Sequence, residues 1–224
     1  MYRLIILLFL GHSFLVEAQK IPFSGKLTYT VQMADTALRK FYPATVMTVI
    51  TNDTLIRIEN QTSFIGKQVL IKHLQLNKSY LLIDSPIGNF AVQTNHSNDE
   101  KDSSSVYTFK VLKKKKKIAG VKGLKVIVSH KKVEKPFTCY IDITRKADYV
   151  NTYFDLPGLP IHYFLPSEDG LIEYKLIKME EYKPNKDAFG IPSDYKKVSF
   201  DEFLKQLFPE GGQSTIESES FEKH

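Results

Sequence analysis

Apolar and polar residues alternate along most of this chain, which is the pattern of strands that bury one face. Four segments alternate strictly and predict buried positions in steps of two: 27–33, 107–111, 124–128 and 137–143. Less regular strand candidates are 45–51, 54–60, 68–76, 79–84, 89–94 and 160–165. The final candidate is long, covering 170–182, and its apolar phase shifts between Leu176 and Ile177, as a β-bulge would make it do.

The spacing of these candidates predicts the fold class. Short strands with hairpin-sized connections and without alternating helices favour an antiparallel sheet, and a sheet of that many strands curls. Only one segment has a convincing helical pattern, with Ser199 and Glu202 as its capping box. A short helical turn is also expected near residue 40. We therefore predict a mainly β chain with minor α content, folded as a single strongly curved antiparallel sheet.

The predicted C-terminal helix is amphipathic. Its apolar face includes Phe200, Phe203, Leu204 and Leu207, and it must pack on the concave side or at the mouth of the sheet.

The ends of the chain differ in composition from its body. Residues 1–18 carry one basic residue and an interrupted apolar run, which predicts a signal peptide cleaved after Ala18; a buried N-terminal helix is the alternative. Residues 19–209 are predicted to be one domain. Residues 210–224 carry four Glu and one Lys, and we expect a disordered acidic tail. Cys139 is the single cysteine and is predicted to be a buried small hydrophobe rather than a reactive thiol.

Catalytic motifs are missing from the sequence. It contains neither a Gly-x-Ser-x-Gly elbow, nor His-Glu-x-x-His, nor a phosphate-binding Gly-rich loop. The histidines that follow the predicted signal peptide, at 73, 96, 130, 162 and 224, lack metal-ligand spacing. We therefore predict a protein that is not an enzyme and that uses no metal or other cofactor, with a hydrolase as the least favoured reading.

A cluster of lysines is the strongest anomaly in a chain whose net charge is +6. Eleven Lys and one acidic residue lie between Lys110 and Lys135, and the densest part is Lys113, Lys114, Lys115, Lys116 and Lys117. A hairpin there would contact an anionic membrane surface, an acidic polysaccharide or an acidic protein. The alternative is a solvated hairpin end whose charges discourage edge-to-edge pairing of strands. The run lacks aromatic residues that would stack on bases, which argues against nucleic acid as a partner.

The segment "YFDLPGLPIHYF" is punctuated by Pro157 and Gly158, which fit the two central positions of a type II turn. It also resembles the signature of the GLPGLI-type exported proteins of Bacteroidetes, which are related to the lipoprotein-carrier (LolA-like) superfamily. The matching positions are Leu156, Pro157, Gly158 and Leu159. The segments "IAGVKGLKVIV" and "FGIPSDYKKVSFDEF" are similar to two further motifs of these proteins.

The resemblance implies an incomplete β-barrel of LolA-like type, with an apolar cavity that in lipoprotein carriers receives acyl chains. It implies a periplasmic location, with an extracellular one as the alternative, and we expect a monomer. The first functional hypothesis is a periplasmic binding protein that holds a hydrophobic group or a lipoprotein acyl chain in the concave face. In this hypothesis the ligand-binding residues on the C-terminal helix, which forms part of a lid, are Phe200, Phe203, Leu204 and Leu207. The second is an envelope interaction or structural protein with a solid core that acts through its basic hairpin.

Overall fold

The computed structural model describes residues 20–62, 66–85, 87–94, 107–131, 133, 135–150 and 156–207. The predicted signal peptide and acidic tail lie outside these residues. The described strands are β1 (Ser24–Met33), β2 (Thr45–Asn52), β3 (Leu55–Thr62), β4 (Gly66–His73), β5 (Lys78–Ser85), β6 (Gly88–Thr94), β7 (Tyr107–Ile118), β8 (Val121–His130), β9 (Phe137–Asp142), β10 (Leu159–Ser167), β11 (Gly170–Glu181) and β12 (Lys196–Ser199). Helix α1 is Phe200–Leu207, and short 3-10 turns lie at Leu38–Lys40, Ala147–Tyr149 and Lys186–Phe189.

All twelve strands belong to one sheet, in the order β12-β6-β5-β4-β3-β2-β1-β11-β10-β9-β8-β7. This confirms the predicted fold class, a mainly β chain with a single curved, open sheet and a C-terminal helix. Neighbouring strands are antiparallel except β12, which pairs in parallel with β6. Strand β12 was not among the predicted strands, because its four residues contain one apolar side chain, Val198, and show no alternation.

The predicted β-bulge is confirmed in β11. Thr28 pairs with Lys178, whereas the next residue of β1, Tyr29, pairs with Leu176, so Ile177 is the extra residue. The Ile177 side chain is 51% exposed, as the phase shift in the sequence requires.

One face of the sheet is apolar across seven neighbouring strands. Residues directly opposite each other in an antiparallel pair share a face. The registers align a row of side chains on β1 to β6 and β12: Leu27, Val49, Ile58, Leu70, Leu81, Val92 and Val198. We call this side the inner face. Its largest buried cluster spans β1 to β3 and β8 to β11 and includes Tyr29 and Tyr163, each at most 1% exposed. Cys139 is fully buried in the same cluster, as predicted.

The connection between β9 and β10, described at 143–150 and 156–158, closes this cluster. Tyr149 is fully buried; its hydroxyl donates a hydrogen bond to the Asp53 carboxylate and accepts one, at 3.0 Å, from the Phe23 amide. The Lys146 ammonium lies 2.9 Å from the same carboxylate. Burial alone would raise the pKa of Asp53, but the hydrogen bonds from Tyr149 and Lys146 outweigh it and lower that pKa. The connection is therefore fastened to the turn between β2 and β3.

Helix α1 begins at the predicted capping box. The Ser199 amide donates to Glu202 Oε2 at 2.8 Å, and the Glu202 amide donates to Ser199 Oγ at 3.2 Å. Phe203 packs edge-on against Phe90, with ring centroids 5.3 Å apart, in a cluster that includes Val92 and Val198. The register of β6 places Val92 on the inner face. The helix therefore lies on the inner face at the β6–β12 edge of the sheet.

Candidate functional site

A cleft of about 740 Å³ opens at one end of the inner face, and we call it the hairpin cleft. Three parts of the chain line it: the tip of the β7–β8 hairpin, the start of the β9–β10 connection at 142–145, and the end of β11 at Met179 and Glu181. Strands β8 and β11 are separated by β9 and β10, so about 14 Å would part them in a flat sheet. They line one cleft because the sheet curves.

A tight turn fixes the tip of the hairpin. Ile118 pairs with Val121, and the two residues between them, Ala119 and Gly120, have φ angles of 47° and 82°. Positive φ at both central residues is the type I′ geometry, whose twist matches that of the flanking strands. The hairpin end is thus held in a defined position beside the cleft.

Apolar side chains make up one part of the lining of the hairpin cleft, and we call this part the floor. Val121, Leu124 and Met179 are partly buried and pack against the large core cluster, and Ile143 is 42% exposed. An open cleft of this volume, which combines aliphatic and charged side chains, is of a size that accommodates a small ligand with an apolar part.

The polar part of the cleft contains one closed ion-pair network. Arg145 Nη1 lies 2.5 Å from Asp142 Oδ2, and Arg145 Nη2 lies 3.0 Å from Glu181 Oε1. Asp142 Oδ1 also accepts hydrogen bonds from the Thr144 amide at 3.0 Å and the Thr144 hydroxyl at 2.6 Å. Both carboxylates in the cleft are therefore already bound to groups of this chain.

Two lysines of the cleft have no such partner. Lys115 and Lys122 are exposed, and neither forms an ion pair with a carboxylate of the described residues. They come from β7 and β8 on either side of the turn. Their ammonium groups are available to a ligand or to water.

All five lysines of the predicted run are exposed on β7, which is an edge strand of the sheet. A register shift between Val111 and Lys115 interrupts the pairing with β8 inside the run. Of the five, Lys115 lines the hairpin cleft, whereas the Lys116 ammonium lies 5.4 Å from the ring centroid of Tyr140. Contact of the run with an anionic partner stays a prediction.

The signature residues serve the structure around the cleft. Gly158 is not among the described residues with positive φ, so the predicted type II turn is wrong. Glycine is required instead because a Cβ atom would lie 2.5 Å from the Asp142 carbonyl oxygen and 2.8 Å from Ile143 Cα. Leu156 and Leu159 are 5% and 0% exposed and anchor the segment in the core. The motif thus positions the wall of the cleft at 142–143, and the Pro157 carbonyl accepts a hydrogen bond from Lys20.

The four residues of the predicted lid lie away from the hairpin cleft. Phe203 is buried on the inner face, whereas Phe200, Leu204 and Leu207 are 56%, 37% and 37% exposed. None of the four lines the hairpin cleft. The helix lies at the β12 edge of the sheet, opposite the β7 edge, and the role of the four residues in ligand binding stays a prediction.

A second cleft, of about 690 Å³, lies at the opposite ends of strands β7, β8 and β11. It is lined by Tyr107 and His130, whose rings are 4.4 Å apart, and by residues of the β10–β11 turn such as Pro166 and Glu168. Apolar side chains such as Val133 also line this cleft, but no lysine lies among its described lining residues.

The titratable side chains of the described residues include one close histidine–carboxylate pair, His162 and Glu173. No three His, Cys, Asp or Glu side chains among them are grouped to hold a metal ion. His162 Nε2 lies 2.7 Å from Glu173 Oε1, and Gln32 donates a 2.7 Å hydrogen bond to the other Glu173 oxygen. Burial lowers the pKa of His162 although Glu173 opposes that shift, so the imidazole is neutral near pH 7. The pair lies on the outer face, away from both clefts.

The described part of the chain also contains no helix that is long and apolar enough to cross a bilayer. Its one α-helix, α1, has eight residues, whereas a spanning helix needs about 20.

Sequence reasoning missed most of the hairpin cleft. Ile143 and Leu124 were predicted only as buried strand positions, and Met179 and Arg145 were not singled out. No local motif marks them, because they come from three segments that only the curvature of the sheet brings together. The lysine run, which includes Lys115, was the one part of the cleft that the composition revealed.

No protein-family model matches this chain, and no curated protein sequence matches it. Among solved structures, MucB is similar with a TM-score of 0.43 and 13% identity, over 80% of this chain and 60% of MucB. MucB in complex with MucA(peri) gives a TM-score of 0.43 and 13% identity, over 77% and 56%. The Pseudomonas aeruginosa MucA/MucB complex gives 0.43 and 14%, over 77% and 57%. This chain therefore covers less than two thirds of the length of each of those chains.

Proposed function

We propose that this protein is a non-enzymatic binding protein of the bacterial envelope that holds a hydrophobic group at the inner face of its sheet. The observation that carries the proposal is the hairpin cleft, whose floor of Val121, Leu124, Ile143 and Met179 is open to solvent. The signal-like N-terminus and the resemblance to GLPGLI-type exported proteins support a periplasmic location.

The cleft is a better place for the ligand than the centre of the core. Tyr29, Tyr149 and Tyr163 fill the centre, and each is at most 1% exposed. A guest there would have to displace packed aromatic side chains, each of which contributes several kcal/mol, about 3–5 for a large aromatic residue. In the hairpin cleft, an acyl chain would instead cover apolar surface that is now exposed, which is favourable by about 25 cal/mol per Å².

A neutral apolar dye tests this proposal. We expect N-phenyl-1-naphthylamine, which fluoresces in apolar surroundings, to bind the protein from Gln19 onward with saturable enhancement. Ile143→Asp places a charge on the cleft floor and should weaken binding about tenfold. Ile177→Asp is the matched control, because Ile177 is similarly exposed, at 51% against 42%, and lies outside the cleft. Absence of saturable binding, or an equal effect of both substitutions, would contradict the proposal.

A second candidate function is favoured by one observation, the exposure of all five lysines at 113–117 on the terminal strand. In this case the protein is an envelope interaction protein, and an acidic partner binds the hairpin. Replacing the five lysines with Gln should then abolish recovery of that partner by cross-linking in intact cells. Unchanged recovery would leave the lysines as a solvated strand end.

A further inference from the structure

The unpaired lysines of the hairpin cleft carry an inference about the ligand. Lys115 is directly opposite Leu124, and Lys117 is directly opposite Lys122, so all four side chains leave the hairpin on the same face. That face carries three ammonium groups beside the apolar floor. No carboxylate of the described residues pairs with any of the three.

The arrangement of these charges is unfavourable without a counter-ion. Like charges directly opposite each other destabilise a pair of strands, and Lys117 and Lys122 are such a pair. The nearby carboxylates offset these charges only in part, because Asp142 and Glu181 share Arg145, and with Lys115 and Lys122 the cleft keeps three positive groups against two negative ones. An anionic group at the rim of the cleft would neutralise the lysines and would accept hydrogen bonds from Lys115 and Lys122.

We infer that the hairpin cleft binds an anionic amphiphile, with its carboxylate or phosphate between Lys115 and Lys122 and its hydrocarbon chain on the floor formed by Leu124, Ile143 and Met179. This inference rests on the proposed function and names the chemical class of its ligand. The charge and the chain have separate places in the cleft, since Lys115 and Lys122 are exposed whereas Leu124 and Met179 pack against the core cluster.

Lysine suits an exposed rim of this kind. Its ammonium is a compact charge on a flexible stem, which binds carboxylate or phosphate without a fixed fork geometry. Arg145 is not available for this role, because two carboxylates occupy its guanidinium. The rim therefore selects the charge of the ligand head rather than its shape, and a free fatty acid and a lipid phosphate share the chemistry it recognises.

The test compares dodecanoate with dodecanol, which has the same chain length and no charge, by displacement of N-phenyl-1-naphthylamine at low salt. Dodecyl phosphate is added as a third competitor, so that binding of a carboxylate head group can be distinguished from binding of a phosphate head group. We expect the two anions to bind about tenfold more tightly than the alcohol. Lys115→Gln/Lys122→Gln should remove most of this preference while the neutral dye still binds.

A matched variant separates a site from a diffuse field. Lys113→Gln/Lys114→Gln removes the same charge from adjacent exposed positions that do not line the cleft. We therefore expect the preference for the anions over the alcohol to fall by a factor of about three or less in this variant. Equal losses in the two double variants would overturn the inference in favour of a diffuse positive field. Dye binding without any preference for the anions would overturn the inference and leave the proposed function standing, whereas absence of dye binding would overturn both.

Discussion

Substitution of Gly158 by Ala should destabilise the protein strongly, because the space beside Gly158 is occupied by backbone. An added Cβ would lie 2.5 Å from the Asp142 carbonyl oxygen, 2.8 Å from Ile143 Cα and 3.0 Å from the Asp142 carbonyl carbon. These atoms belong to the backbone of the last residue of β9 and of the residue that follows it, and they cannot rotate away as a flexible side chain would. The segment would have to move by about 0.5 Å merely to reach the shortest contacts that Cβ atoms make.

The energetic cost follows from overpacking. Inserted methyl groups in well-packed regions usually cost about 1–3 kcal/mol, and a clash with backbone belongs at the upper end of that range. The shift would also strain the 3.2 Å hydrogen bond from the Leu159 amide to the Arg145 carbonyl. We therefore expect the free energy of unfolding to fall by about 3 kcal/mol, which lowers Tm by about 6–12 °C for a chain of this size.

Urea unfolding followed by tyrosine fluorescence measures this change. Gly190→Ala is the control, because Gly190 has a φ of −73° and its nearest added contact is the Asp187 carbonyl oxygen at 3.3 Å. We expect the control to cost less than about 0.5 kcal/mol. A cost of Gly158→Ala no larger than that of Gly190→Ala would refute the close-approach explanation of the signature.

Three further predictions concern the contacts that hold the fold. Tyr149→Phe should lower the free energy of unfolding by about 2 kcal/mol in urea titration, because the Asp53 carboxylate and the Phe23 amide both lose a hydrogen-bond partner; an unchanged value would show that the hydroxyl does not fasten the connection. The pKa values of Asp53 and Glu173 are lowered in the folded state, so the two carboxylates stabilise the fold fully above the ordinary carboxyl pKa, and the free energy of unfolding should fall as the pH drops below about 4. A free energy of unfolding that stays constant down to pH 2 in an acid titration would contradict this. Ser199→Ala removes the N-cap of helix α1 and should lower the free energy of unfolding by about 1 kcal/mol, measured by thermal unfolding. A change near zero would contradict the role of the cap.

The strand pattern could be predicted from the sequence because each strand buries one face. Leu27, Tyr29, Val31 and Met33 alternate in the sequence and are all buried, and the extra residue Ile177 is visible as a break in the same alternation. Strand β12 gave no such signal. It forms because the chain after β11 crosses the outer face, where Ile191 and Tyr195 cover apolar residues of β4 to β6, and returns beside β6.

The cleft could be predicted only in part, because it depends on contacts between distant segments. The lysine run indicated charge on a hairpin, but nothing local to Lys115 indicates that Met179 lies across the cleft from it. The Pro157–Gly158 pair was misread for a physical reason: glycine supplies φ > 0 at turns, and it equally permits close approach of two backbone segments. Sequence alone does not distinguish these two uses.

The most direct test of the proposed function is to map a bound amphiphile on the protein by NMR. Uniformly ¹⁵N-labelled protein from Gln19 onward would be titrated with dodecanoate, and amide shifts would be followed residue by residue. We predict that the largest shifts occur at 121–124, 142–145 and 179–181, which line the hairpin cleft. Shifts confined to helix α1, or no saturable shift at all, would contradict a binding site in this cleft.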